Sequence, residues 1–160
     1  MTDEFIHVEP ADIEATSLAI IESELPRPLD PTVAPVVKRV IHATADFDYV
    51  ETLVFSPDAV SSARDALRSG VTIVTDTMMA QAGINQAALA TLGGRTRCHM
   101  ADPETFRLAE LNGTTRAVAS MDRASDLPDP VIFAIGNAPT ALIRLHDLLA
   151  QGAIRPALIV

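Results

Sequence analysis

Among the four histidines of this 160-residue chain, His42 has the neighbours that proton chemistry needs. Arg39 stands three residues before it and Asp46 four after, so a helix would project all three from one face. If that helix ends near Asp46, its last carbonyls and the carboxylate favour a positive imidazole, whereas Arg39 disfavours one. The balance makes His42 a candidate proton donor near neutral pH. The plainer alternative is that His42 caps its own helix and Asp46 is solvated, because surface pairs of this kind are common and weak. His7 near the terminus, His99 beside a strand end and His146 on the last helix have no further support and are read as structural.

Two further segments could hold an anion. G-N-A-P-T-A-L at 136–142 joins an apolar stretch to a helical one, so its backbone N–H groups and the Thr140 hydroxyl lie where a carboxylate would bind favourably. Asn137 falls in the same turn. The alternative is a tight turn in which Pro139 opens the helix. N-G-T-T-R-A at 112–117 brings Arg116 to the start of a helix. Its planar guanidinium can grip a carboxylate with two hydrogen bonds and stays charged; otherwise it is one more exposed arginine.

The elements that must position these residues alternate along the chain. Residues 10–25 and 34–46 read as helices, 53–55 as a short strand, and Ser56-Pro57 as a cap and first residue of a helix running to Gly70. Thereafter strands at 71–75, 96–100, 131–135 and 156–160 are separated by helices at 78–92, 103–111, 115–124 and 140–150. Such alternation implies a doubly wound α/β fold, mainly parallel, with helices on both faces and ligands at the carboxyl ends of the strands. Asp76, Asp102 and Asn137 all fall just past such ends.

Length and composition suit one domain over 1–160 with one core. The net charge of −9 repels polyanions and argues against nucleic acid or an anionic membrane as partner. A single cysteine, Cys98, cannot form an internal disulfide and is read as a small apolar filler, which fits a reducing cytoplasm. No apolar run reaches the roughly 20 residues of a membrane span, so a soluble protein is expected.

V-K-R-V-I-H-A-T-A-D-F-D-Y at 37–49 and A-I-G-N-A-P-T-A-L at 134–142 resemble signatures of the precorrin-8X methylmutase (precorrin isomerase) family. T-D-T-M-M-A-Q-A-G-I at 75–84 is similar to its D-x-x-M-x-x-x-G-I, and N-G-T-T-R to its G-x-T-R. I-E-A-T-S-L at 13–18 partly matches I-E-x-x-S-F, with Leu18 replacing the aromatic residue. The resemblance implies that His42 is catalytic and that Ser17, Arg39, Arg116, Asn137 and Thr140 bind substrate. It implies no cofactor, no metal ligands and a homodimer. The reaction implied moves a methyl group from ring carbon eleven to ring carbon twelve of precorrin-8X, giving hydrogenobyrinate; cobalt-precorrin-8 is the equivalent substrate of the cobalt-first pathway.

The resemblance runs from Ile13 to Val160, and the Gly-rich G-x-P-V-G-F-V-G-A-x-E-S-K and R-G-x-x-G-G-S segments of the family are not in the chain. A shortened domain is therefore expected, with weak turnover. Two rival readings follow. A non-catalytic corrin-binding protein would bind product without turning substrate over, and an unrelated nucleotide-binding enzyme of the same architecture would be stabilised by nucleotide.

Overall fold

The computed structural model describes residues 9–10, 12–128 and 130–160, so His7 lies outside the described residues. The chain forms two compact units, Met1–Val60 and Ser61–Val160. Among the described residues no helix is long and apolar enough to cross a membrane.

The first unit is helical. α1 (Ile13–Glu24) packs on α2 (Ala34–Thr44), and α2 on the single turn α3 (Tyr49–Thr52). The apolar residues recur at helical spacing and bury Ile21, Val37, Ile41 and Val50 together, with Leu18, Leu53 and Phe55 packed around them. α2 opens with Pro35 in its first turn and stops at Ala45, whose left-handed φ of 55° turns the chain while its N–H bonds the Ile41 carbonyl. The strand expected at 53–55 does not form. Leu53 and Phe55 point into the helical cluster and Val54 is 91% exposed, an alternation that imitates a strand without any neighbour to pair with.

The second unit is built on four parallel strands in the order β2-β1-β3-β4: β1 (Thr72–Thr75), β2 (Arg95–Arg97), β3 (Val131–Ala134) and β4 (Leu158–Ile159). Side chains alternate between its faces. Val74 and Phe133 pack with Ala117, Met121 and Ala124 of α8 (Arg116–Ala124) and Ala141, Leu145 and Leu148 of α9 (Pro139–Ala150). Ile73, Ile132 and Leu158 point the other way, toward Ala66 and Leu67 of α4 (Ala59–Arg68) and Leu89 of α6 (Gln86–Thr91). Helices therefore cover both faces, the α/β arrangement expected from the alternation. Burying one large side chain such as Phe133 contributes about 1.5–3 kcal/mol, so each face is held by its own apolar cluster.

Several boundaries differ from the sequence reading. The helix expected from Ser56-Pro57 starts at Ala59, after Asp58 has taken a left-handed φ of 60°. The stretch 78–92 is two helices, α5 (Met78–Gly83) and α6, because the Asn85 side chain accepts the Ala88 N–H at 2.9 Å and caps a new start. The strands expected at 96–100 and 156–160 are shorter, at 95–97 and 158–159. α7 (Pro103–Leu111) has the bounds expected. Gly70 joins α4 to β1 at a φ of 83°, where a side chain would also press within 3.2 Å of the Gly93 carbonyl oxygen.

Candidate functional site

In the first unit α2 presents Arg39 and His42 one turn apart, both exposed, with buried Ile41 anchoring the helix beneath them. Arg39 Nη2 donates to Glu14 Oε1 of α1 at 2.6 Å. This bond holds the Glu14 carboxyl below its ordinary value, and the nearby His42 adds a smaller effect in the same direction. Ser17, half-buried, lies one turn along α1 from Glu14. Glu14, Arg39 and His42 thus form one cluster, and Ser17 lies beside it. Asp46 does not join them. The left-handed Ala45 carries it off the helix, and its Oδ1 accepts the Asp48 N–H at 2.9 Å to shape the turn into α3.

In the second unit Arg116 is the first residue of α8, whose N-cap Thr115 accepts the Val118 N–H. Its guanidinium lies 4.6 Å over the Phe106 ring, and among the described residues no carboxylate pairs with it. The Thr115 hydroxyl donates to the Thr140 hydroxyl at 3.3 Å, which draws the starts of α8 and α9 together. Asn137 precedes α9 in the same turn. Thr140 and Asn137 therefore lie after β3 at the carboxyl end of the sheet, with Thr115, the residue before Arg116, bonded to Thr140.

The backbone amides of that turn are not available to an outside anion. Asp76, fully buried just past β1, accepts the Gly136 N–H at 3.0 Å on one oxygen, and those of Asn137 and Ala138 at 2.8 and 2.7 Å on the other. The carboxylate expected from a ligand is supplied by the chain itself. Burial alone would raise the Asp76 pKa, but the three amide bonds together outweigh it and hold the carboxyl below its ordinary value. In sequence Asp76 is visible as a residue past a strand end and as the aspartate of T-D-T-M-M-A-Q-A-G-I, but not as the acceptor of these amides, because its partners lie sixty residues later.

A second carboxylate, Asp102, gathers three donors on one oxygen: Arg123 Nη1 at 2.7 Å, Arg97 Nη2 at 2.8 Å and His99 Nδ1 at 3.1 Å. Hydrogen bonds from Arg123 and His99 hold its pKa down. His99 is buried, and burial lowers its pKa against the pull of Asp102. Because Nδ1 donates to the carboxylate, Nε2 carries only a lone pair, and among the described residues it has no partner. His146 is exposed on α9. Cys98 is buried.

Among the described residues no group of three or more His, Cys, Asp or Glu side chains could hold a metal ion. A hollow of about 200 Å³ opens beside the amino end of β3, lined by Ala124, Leu127, Val131, Ile154 and Arg155 among others. It contains none of the residues above, and nothing in its lining suits proton chemistry.

Comparison with known proteins gives a consistent answer. A family model described as precorrin-8X methylmutase matches residues 12–160. The cobalt-precorrin-8 methylmutase of Salmonella typhimurium is 43% identical over 155 residues, covering 91% of this chain and 74% of that protein. That of Priestia megaterium is 40% identical over 154 residues, covering 96% and 68%. The crystal structure of a precorrin-8X methyl mutase from Thermus thermophilus superposes with a TM-score of 0.82 at 38% identity, over 92% of this chain and 73% of that one.

Proposed function

The chain belongs to the precorrin-8X methylmutase family and is an isomerase that shifts a methyl group in cobalamin synthesis; we propose that it acts on precorrin-8X with His42 as the proton donor. The bond from the methyl group to ring carbon eleven breaks and one to ring carbon twelve forms, giving hydrogenobyrinate. Substrate and product have the same composition, so the step needs neither oxidant nor reductant. A proton or hydrogen bond from His42 adjusts the conjugation of the macrocycle so that the shift is allowed, and returns once the methyl has moved. The reaction is intramolecular, and holding the ring in one orientation supplies much of the rate.

The observation that carries this reading is an exposed His42 in the last turn of α2, one turn from Arg39, inside the R-V-I-H string. Arg116 anchors a carboxylate arm of the substrate, since its guanidinium is positioned over Phe106 and, among the described residues, has no acidic partner. Asn137, Thr140 and Ser17 supply neutral hydrogen bonds. Arg39 takes a second arm by exchanging Glu14 for it.

Cobalt-precorrin-8 is the second reading of the substrate, favoured by the names of the Salmonella and Priestia relatives. The absorbance change on mixing the protein with each tetrapyrrole separates the two. Conversion of neither would overturn the proposal. Arg116→Ala weakens the titration with hydrogenobyrinate about ten-fold or more, as expected for truncating one side of a charged contact, whereas Arg155→Ala leaves it unchanged. Equal losses at the two positions would remove Arg116 from the site. We assign the chain to the cytoplasm as a homodimer, on its charge, its lone cysteine and its family; sedimentation velocity and cell fractionation test these.

A further inference from the structure

The strand order places a reversal at the centre of the sheet. From β1 the chain moves outward to β2, then returns across β1 to start β3 on the other side. The segments that follow β1 and β3 lead to opposite faces: α6 packs beside Ile73 and Ile132, α9 beside Val74 and Phe133. A crevice between them at the carboxyl ends is where open α/β sheets bind ligands. Asp76, fully buried, is the first residue after β1 at this reversal, and binds the turn after β3 through the three amide bonds of residues 136–138.

That turn cannot hold itself. Ala138 occupies the N-cap of α9 without a side-chain acceptor, and Pro139 follows with no N–H to offer. Asp76, from a different strand, instead holds the three N–H groups that lead into α9, and its charge also suits the positive end of the α9 dipole. No uncharged side chain replaces it. An asparagine would keep one acceptor oxygen and turn an NH₂ toward amides that also donate, and glutamate would bring an extra methylene into a site with no exposed surface.

We propose that Asp76 is a positioning residue for substrate recognition, fixing the 136–140 turn so that the Asn137 and Thr140 side chains face the crevice beside Arg116. This rests on the assignment of Asn137 and Thr140 to corrin binding made above. Because Asp76 consumes the amides of residues 136–138, recognition of a carboxylate arm by this turn falls on its side chains.

Hydrogenobyrinate is the probe, followed by its absorbance, with Asp76→Asn made in the parent and in an Asn137→Ala/Thr140→Ala background. In the parent the substitution weakens binding about ten-fold and raises KM by a similar factor, while kcat falls less than three-fold. In the double-alanine background it has no further effect on binding, since the side chains it positions are gone. The same loss in both backgrounds, or unchanged affinity in the parent, would overturn the proposal. If Asp76→Asn does not fold, amide hydrogen exchange of the unmodified protein decides the matter. Gly136, Asn137 and Ala138 are protected before ligand is added and gain nothing on binding; a ten-fold gain would show a turn organised by ligand and not by Asp76. A parent that gives no spectral response to the probe would overturn the corrin reading itself, and the positioning role with it, whereas a parent that binds normally isolates the fault to Asp76.

Discussion

Arg39 in the first unit and Arg123 in the second each hold a carboxylate at almost the same distance, 2.6 Å to Glu14 and 2.7 Å to Asp102. Their surroundings differ. The Arg39 and Glu14 side chains are 54% and 62% exposed, those of Arg123 and Asp102 22% and 26%. Water and salt screen the first pair, and it forms a single hydrogen bond. The second is part of a network in which Asp102 also receives Arg97 and His99, and Arg123 also donates to Thr105 at 2.8 Å. Contact length therefore says little about weight. An exposed pair can exchange partners with a ligand, and a half-buried network keeps an element in place.

The contrast predicts that chemistry and stability separate between the two regions. His42→Ala should lower the rate of the methyl shift by about 10²–10⁴-fold, the usual contribution of a positioned acid or base. Its unfolding midpoint in urea should not move, because His42 is exposed and the substitution removes no buried contact. A variant that loses stability along with turnover would break the distinction.

Asp102→Ala is the opposite case. It leaves two guanidinium groups and a buried imidazole without their shared acceptor, and should destabilise the fold by about 2 kcal/mol, less than the roughly 3–5 kcal/mol of a fully buried pair because water still reaches the site. Glu104→Ala, which breaks the equally short but exposed pair with Arg107, provides the control and should leave the urea midpoint unchanged. If both variants behaved alike, burial would not be what separates the two regions.

His99 sharpens the same point through pH. The folded protein takes up a proton on this imidazole only below its ordinary value of 6.5, while the unfolded chain does so near 6.5. Between those values the unfolded state binds more protons, so the contribution of neutral His99 is complete above pH 6.5 and is lost as pH falls through the folded value. The groups facing it are Asp102, Arg97 and Arg123, and the two arginines oppose protonation. Thermal unfolding compared at pH 7.5 and about 5.5 should show a smaller acid loss for His99→Gln than for the parent. An unchanged slope would mean that the imidazole titrates in the fold as it does in the unfolded chain.

What could be read in the sequence follows the same division. All four strands were found, but β1, β3 and α7 were the most legible because their signals are local: β-branched runs at Thr72–Thr75 and Val131-Ile132, and Pro103 opening a helix after Asp102. The break between α5 and α6 was missed, since Asn85 looks like any polar residue until its side chain caps Ala88. Leu53 and Phe55 deceived for the reverse reason, their alternation arising from packing on helices. The place of His42 in the last turn of a helix was legible from the pattern. Glu14 on Arg39, Phe106 under Arg116 and Asp76 on the 136–138 turn were not, because each joins residues from different elements, and no local rule relates them.

The smallest expected effect concerns the exposed pair itself. Glu14→Gln removes the charge that holds Arg39 while keeping the shape of the side chain, and thermal unfolding should be unaltered within the precision of the measurement. Binding is the more telling readout. A free Arg39 no longer has to release a partner before it takes a substrate carboxylate, so hydrogenobyrinate should bind a few-fold more tightly to Glu14→Gln than to the parent at low salt. The gain should disappear near 1 M salt, where the Debye length is only about 3 Å and the parent pair is already screened. It should also disappear in an Arg39→Ala background, since without the guanidinium there is nothing for Glu14 to occupy. Weaker binding by Glu14→Gln would mean that the carboxylate orients Arg39 for the ligand and does not compete with it. The exposed pair would then be as much a fixed part of its site as the Asp102 network is of its own.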